Sequence, residues 1–253
     1  MTTKILAGCA LFMAFSLGAL AQVVRIPDAN FKKAIIDQGV DTNGDGQIQV
    51  EEAKKVTILY VVKAGIVSLE GIKSFVNLVD FGFHENKVKT VDVSGLKKLK
   101  FIYGFDNELE SVITKGCDSL VNISCHKNKL RSIEIAHLKK LVILSLGWNQ
   151  FTRLDVSNMT ELKQVELHDN QLREVKFNNC PEMIDFWASR NQIAHHLDFT
   201  AMPKLQFLRI EDNPIPSLDI RGLANLTTCR CYNSNIKTLN LSGTVKLEDL
   251  SWY

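Results

Sequence analysis

Residues 141–162 read LVILSLGWNQFTRLDVSNMTEL. Apolar side chains stand at Leu141, Leu144, Leu146, Phe151, Leu154, Val156, Met159 and Leu162, with Asn149 at a fixed offset between them. The pattern recurs on both sides with almost no change of length. Aligning the asparagine gives Asn86, Asn107, Asn128, Asn149, Asn170, Asn191 and Asn213, spaced by 21 residues except for one step of 22 between Asn191 and Asn213. A fixed period of this size means a solenoid, because one coil cannot bury its apolar residues alone and must stack on its neighbours. The extra residue falls in Ile193–Phe199, IAHHLDF, where a local bulge with His195 and His196 on a surface loop is expected. In the last full coil Ser234 takes the asparagine position, so the ladder frays there.

Within Leu144-Ser145-Leu146 the period is two, which predicts a short strand with Leu144 and Leu146 inward and Ile143, Ser145 and Gly147 outward. A second short strand is expected in each coil, as at Leu154-Asp155-Val156 and Leu218-Asp219-Ile220. Each asparagine amide can then satisfy turn backbone groups of neighbouring coils, at a cost of about 1–3 kcal/mol if it is lost. The pattern L-x-x-L-x-L-x-x-N-x-F-x-x-L resembles the nested leucine-rich repeat of secreted bacterial proteins, including internalin-like chains, over residues 56–253. A parallel β-helix shares the coil length and the asparagine ladder but not the leucine pattern. The resemblance implies an α/β-type repeat solenoid dominated by short parallel strands, with about nine coils, a partial tenth, and a small helical N-terminal cap. It also implies an exported, non-catalytic binding module.

Residues 1–21 read as a signal peptide: Lys4, an uncharged apolar run from Ile5 to Leu20, and Ala19-Leu20-Ala21 before Gln22. Leu6-Ala7-Gly8-Cys9 resembles a lipoprotein box, but too few residues precede Cys9 to hold an apolar region. No other run is long and apolar enough to span a bilayer. Lys4 is the only charge in the leader, so of 30 basic and 28 acidic residues 29 and 28 remain, a net charge of +1. Near-neutral charge of mixed sign gives no reason to expect nucleic acid or an anionic membrane as partner.

Residues 22–55 are expected to form the cap. Asp28 can cap a short helix that puts Phe31, Ala34 and Ile35 on one face. Residues 41–52, DTNGDGQIQVEE, match an EF-hand loop, with Asp41, Asn43 and Asp45 as oxygen ligands, Gln47 through its carbonyl, Gly46 at the sharp turn, Ile48 as apolar anchor and Glu52 at the end. A single loop also resembles half of a dockerin. Calcium is expected there in a structural role. The bland alternative is a polar turn between two helices. Similar caps precede the repeats of secreted leucine-rich proteins from Bacteroides-like bacteria.

After the leader five cysteines remain. Register places Cys117 and Cys180 where other coils have Leu or Met, and Cys125, Cys229 and Cys231 at inward strand positions, so all five are expected in the core as small hydrophobes, without disulfides. His84, His126 and His168 fall in one outward column on alternate coils, roughly 9–10 Å apart and too far to share a zinc ion.

The outward positions carry Phe101, Tyr103, Phe105, Trp187 and Phe207, with Trp148 just past its strand. Exposed aromatics on a polar sheet are used, covered, or packed on one another. Phe101, Tyr103, Phe105, Trp148, Glu166, Trp187, Arg209 and Arg230 are therefore the expected ligand face, for a protein or glycan. A glycan-active enzyme using Glu166 and Asp185 is the alternative, but the chain has no nucleophile motif and its coils are too regular to carry a closing loop. The sequence ends part-way into a coil at Leu250-Ser251-Trp252-Tyr253. From this we expect a homodimer through that edge, or shielding of it by Trp252.

Overall fold

A computed structural model describes residues 22–252. The expected leader, Cys9 included, lies outside the described residues. Ten strands form one parallel front sheet: Ile58–Tyr60, Asp80–Gly82, Phe101–Tyr103, Asn122–Ser124, Ile143–Ser145, Gln164–Glu166, Asp185–Trp187, Phe207–Arg209, Thr228–Arg230 and Asp249–Ser251. Sequence order is spatial order. Leu144 stands opposite Ile123 and Val165, and Phe186 opposite Val165 and Leu208, so the inward column is continuous. All eight apolar positions of the quoted stretch are buried, as is Asn149. At about 1.5–3 kcal/mol per buried Leu, Val or Phe, repetition of this column holds the coils together.

The asparagines bond as their position requires. Asn149 Oδ1 accepts from the Leu130 N–H at 2.9 Å, and its Nδ2 donates to the carbonyls of Cys125, Leu146 and Gly147 at 3.0, 3.1 and 3.2 Å. Asn86 and Asn213 repeat the arrangement at either end. Ser234 is too short for this and donates only to the Cys231 carbonyl.

The back of the solenoid departs from expectation. Its strands form three separate sheets: Thr90–Asp92 with Ser111–Ile113, Arg153–Asp155 with Glu174–Lys176, and Leu197–Asp198 with Ser217–Asp219 and Thr238–Asn240. The Asn128 coil has no back strand. The turn chemistry supplies the reason. Four of the eight coils from Asn86 onward close this turn with both of two devices and three with one of them: an Asp or Asn whose side chain accepts the N–H two residues on, and a Gly or Asn in the left-handed region. Asp92, Asp155, Asp198, Asp219 and Asn240 provide the first. Gly95, Gly116, Asn158, Asn179, Gly222 and Gly243 provide the second, with φ between 56° and 85°. From Asn86 onward, only the coil with Glu134 and His137 lacks both. Side chains take over there: the Thr114 hydroxyl donates to the Glu134 carbonyl, and His137 Nε2 meets the Thr114 carbonyl at 3.1 Å. Grooves of about 400 and 430 Å³ flank the detached segment, one beside Val112 and Ile113 and one beside Thr152 and Leu154. The second break falls at the coil with the extra residue. There Ala201 replaces the left-handed residue, and His196 Nδ1 meets Ser217 Oγ on the surface.

Ahead of the first coil lie two short helices, α1 (Ala29–Asp37) and α2 (Val50–Ala53). Phe31, Ile35, Ile48 and Ala53 are buried against the first coil in one continuous core. Asp28 joins the two parts. Its Oδ1 accepts the N–H groups of Asn30 and Phe31, capping α1, while Oδ2 accepts those of Val67 and Ser68 in the first coil. Burial works against the charge, but these four donors outweigh it and hold the carboxyl below its usual range. At the far end Ile236, Leu239, Leu241, Leu247 and Leu250 are only half-buried. Trp252, expected to shield that edge, is itself exposed.

All five described cysteines are buried and free. Cys117 and Cys180 point their thiols at the carbonyls of Val93 and Val156, at 3.0 and 3.1 Å. Burial pushes the Cys125 thiol up to about 12.

Candidate binding face

On the front sheet the outward residues form three columns, fixed by the pairing of Asp185, Phe186 and Trp187 with their neighbours on both sides. Phe101, Tyr103, Phe105 and Trp187 were expected to be exposed. They are half-buried, with other rings of the face packed against them. Phe105 is stacked between His84 and His126, with centroids 4.2 and 4.7 Å away. Tyr103 stacks with Tyr60 at 6.3 Å and Phe101 at 6.5 Å. Tyr60 can reach across because Gly82 lies between them: a Cβ there would strike its ring. Burial, then the Asp80 carboxylate, push the Tyr60 phenol up to about 12.

Gly147 makes the same kind of space further along. A Cβ on it would lie 2.6 Å from His168 Nε2, so the His168 ring folds inward over this glycine. His168 is 2% exposed, although its column faces outward. One side of its ring stacks on Trp187 at 3.7 Å, Trp148 meets it edge-on at 4.3 Å, and its Nδ1 bonds Asp169 at 2.9 Å. Arg209 lies over Trp187 at 4.6 Å and binds both oxygens of Asp185 at 2.7 and 2.6 Å. Burial raises the Asp185 carboxyl against the opposing pull of Arg209. Arg230 is spent on Asp249 at 3.1 Å. The two arginines therefore serve the sheet itself rather than standing free beside the aromatics.

Between the two ring clusters the face is polar. Ser145 donates to Glu166 Oε2 at 2.6 Å, Gln164 donates to Glu166 Oε1 at 2.8 Å, and Ser145 Oγ lies 3.4 Å from His126 Nδ1. Burial lowers the His126 pKa. Ser145 stands between His126 and Glu166 and gives its hydroxyl hydrogen bond to the carboxylate.

Tyr60 and Phe207 are each 39% exposed on the front strands, and the most exposed aromatic of the expected face is Trp148, at 44%. It occupies a column of left-handed turn residues: Lys63, Glu85, Asp106, Lys127, Trp148, Asp169, Arg190, Asp212 and Asn233. The others pair off along the stack. Lys63 meets Glu85 at 3.1 Å, Lys127 meets Asp106 at 3.6 Å, Arg190 meets Asp169 at 2.7 Å and Asn233 meets Asp212 at 2.8 Å. Trp148 alone breaks the sequence of pairs, with φ 50° and the Lys127 ammonium 5.8 Å from its ring.

In the cap loop, the carboxylates are turned onto the loop's own backbone. Asp41 accepts the N–H groups of Gly44 and Gly46, Asn43 that of Asp45, and Asp45 that of Gln47. The Gln47 side chain takes the Lys32 ammonium. Glu52 accepts from the Thr42 N–H and hydroxyl through Oε1 and from the Gln49 N–H through Oε2. Among the described residues no three His, Cys, Asp or Glu side chains gather as a metal site. Nor is any helix among them long and apolar enough to cross a membrane.

No family model and no curated protein matches the chain. Solved structures do. Internalin C2 from Listeria monocytogenes superposes with a TM-score of 0.64 at 22% identity, over 88% of this chain and 98% of the other. YopM, a leucine-rich effector protein from Yersinia pestis, superposes with a TM-score of 0.63 at 19% identity, over 75% of this chain and 52% of the other. With the parallel front sheet and the asparagine ladder, these similarities establish the fold as that of a leucine-rich repeat solenoid.

Proposed function

We propose that the protein is an exported, non-catalytic binding module whose front sheet receives a protein partner, with Trp148 as the anchor. Trp148 carries the reading. A bulky side chain in the left-handed region costs about 1–2 kcal/mol, and every neighbour in its column is charged or polar and engaged in a pair. The left-handed turn is common to the whole column, so it is the exposed indole standing where every neighbour is paired that is explained by contact with something outside the chain. A glycan would use open ring faces, but those of Tyr103, Phe105 and Trp187 are occupied by neighbouring rings and Arg209. This favours a protein. Trp148→Asn is expected to leave folding stability within about 1 kcal/mol of the parent and to weaken capture of the partner by about 2 kcal/mol, some thirtyfold. Undiminished capture by this variant, compared in parallel from surface extracts, would remove the face from consideration.

We also propose a structural calcium ion in the loop 41–52. The donors are all oxygens, as that ion prefers, and Gly44 and Gly46 both take left-handed φ to fold the loop over Asp41. Binding to the folded state alone stabilises by mass action. The melting temperature should rise in millimolar calcium and the rise should vanish in Asp45→Ala. Calorimetry without heat for the parent chain would end this reading.

A further inference from the structure

Three outward carboxylates of the front face, Asp80, Glu166 and Glu211, make no ion pair among the described residues; Asp80 lies at the Tyr60 hydroxyl near the cap, and the other two lie on either side of Trp187. Asp185 holds Arg209 and Asp169 holds Arg190, but neither Glu166 nor Glu211 makes an ion pair among the described residues. Glu166 stands beside Trp187 in the strand register. Its oxygens take only the neutral donors Ser145 and Gln164, one each, and every carboxylate oxygen has room for a second. Glu211 is 7% exposed and its Oε2 is buried without a partner. It lies on the other side of Trp187, one coil further on and one column over. A carboxylate withdrawn from water without a paired cation is costly; Glu211 is buried and Glu166 half-buried, and Arg190, already bound to Asp169, reaches Glu211 only through space.

We propose that Glu166 and Glu211 receive a basic segment of the partner, whose lysine or arginine side chains supply the two missing countercharges while an apolar neighbour packs on Trp148. The inference rests on the front-face reading above and adds the sign of the partner. Its charge complementarity would act on partner choice and association rate.

The test uses the full chain and a displayed library of random peptides. Selected peptides should be enriched in Lys and Arg, and their affinity should fall as salt rises. Glu166→Gln combined with Glu211→Gln should weaken them at least tenfold, with a melting temperature unchanged or raised because no cation is lost. Peptides that depend on Trp148 but show no basic enrichment and bind the double variant equally well would overturn this inference and leave the front-face reading standing. Peptides indifferent to Trp148→Asn as well, or no selected peptides at all, would overturn both.

Discussion

Phe186→Ala is expected to cost about 3–5 kcal/mol, the range for truncating a fully buried phenylalanine in a core that cannot collapse. Phe186 has no exposed surface and meets the rings of Phe177 and Phe199 edge-on, each at 5.2 Å, while those two stack on each other at 4.8 Å. Phe186 and Phe199 belong to the coil that carries the extra residue and Phe177 to the coil before it, so the trio joins the two coils. Hydrogen-bonded strands on both sides prevent the front sheet from closing over the void. Urea unfolding would measure the loss, and a value below about 1.5 kcal/mol would mean that the trio is not packed as described.

Asn149→Ala is expected to cost about 3 kcal/mol. It removes four hydrogen bonds and strands the buried Leu130 N–H outright, while the carbonyls of Cys125, Leu146 and Gly147 keep donors from Asn128, Asn170 and the Lys127 N–H. The damage should be local in a chain where each coil contacts mainly its neighbours. Hydrogen exchange should therefore accelerate first at Leu130 and in the two flanking coils, with little change in the cap. Uniform acceleration along the whole chain would contradict that picture.

The sequence made the inward half of the molecule legible because stacking forces each period position to one side. Leu144, Asn149 and Cys117 could be placed from register alone. The outward half was only partly legible, because period gives the side a residue faces and not the ring that leans over it. His168 reads as an outward histidine. It is buried because Gly147 leaves room for it, a relation between residues 21 apart that no local pattern announces. Arg209 and Arg230 looked free because their partners, Asp185 and Asp249, lie one coil away in opposite directions. The interruption at Glu134 and His137 was readable in principle. The apolar pattern there, Ile133 and Ile135, is intact, and the missing signal lay in the turn residues rather than in the hydrophobic ones.

That interruption also sets how the solenoid can bend. Along the front, separating any two coils breaks several backbone hydrogen bonds at once, but between 111–116, 132–137 and 153–158 on the back there are none to break. Bending stiffness is therefore uneven, lowest in one direction where two successive interfaces on the back lack backbone hydrogen bonds, with a lesser soft point at the single unpaired interface before Leu197–Asp198. The main soft point lies behind the strands Asn122–Ser124 and Ile143–Ser145, between the Tyr103–Phe105 rings and Trp148. A small change of curvature there would alter the angle between the two halves of the face without disturbing either half, so the surface can adjust its fit to a partner as two rigid plates rather than as a flexible loop.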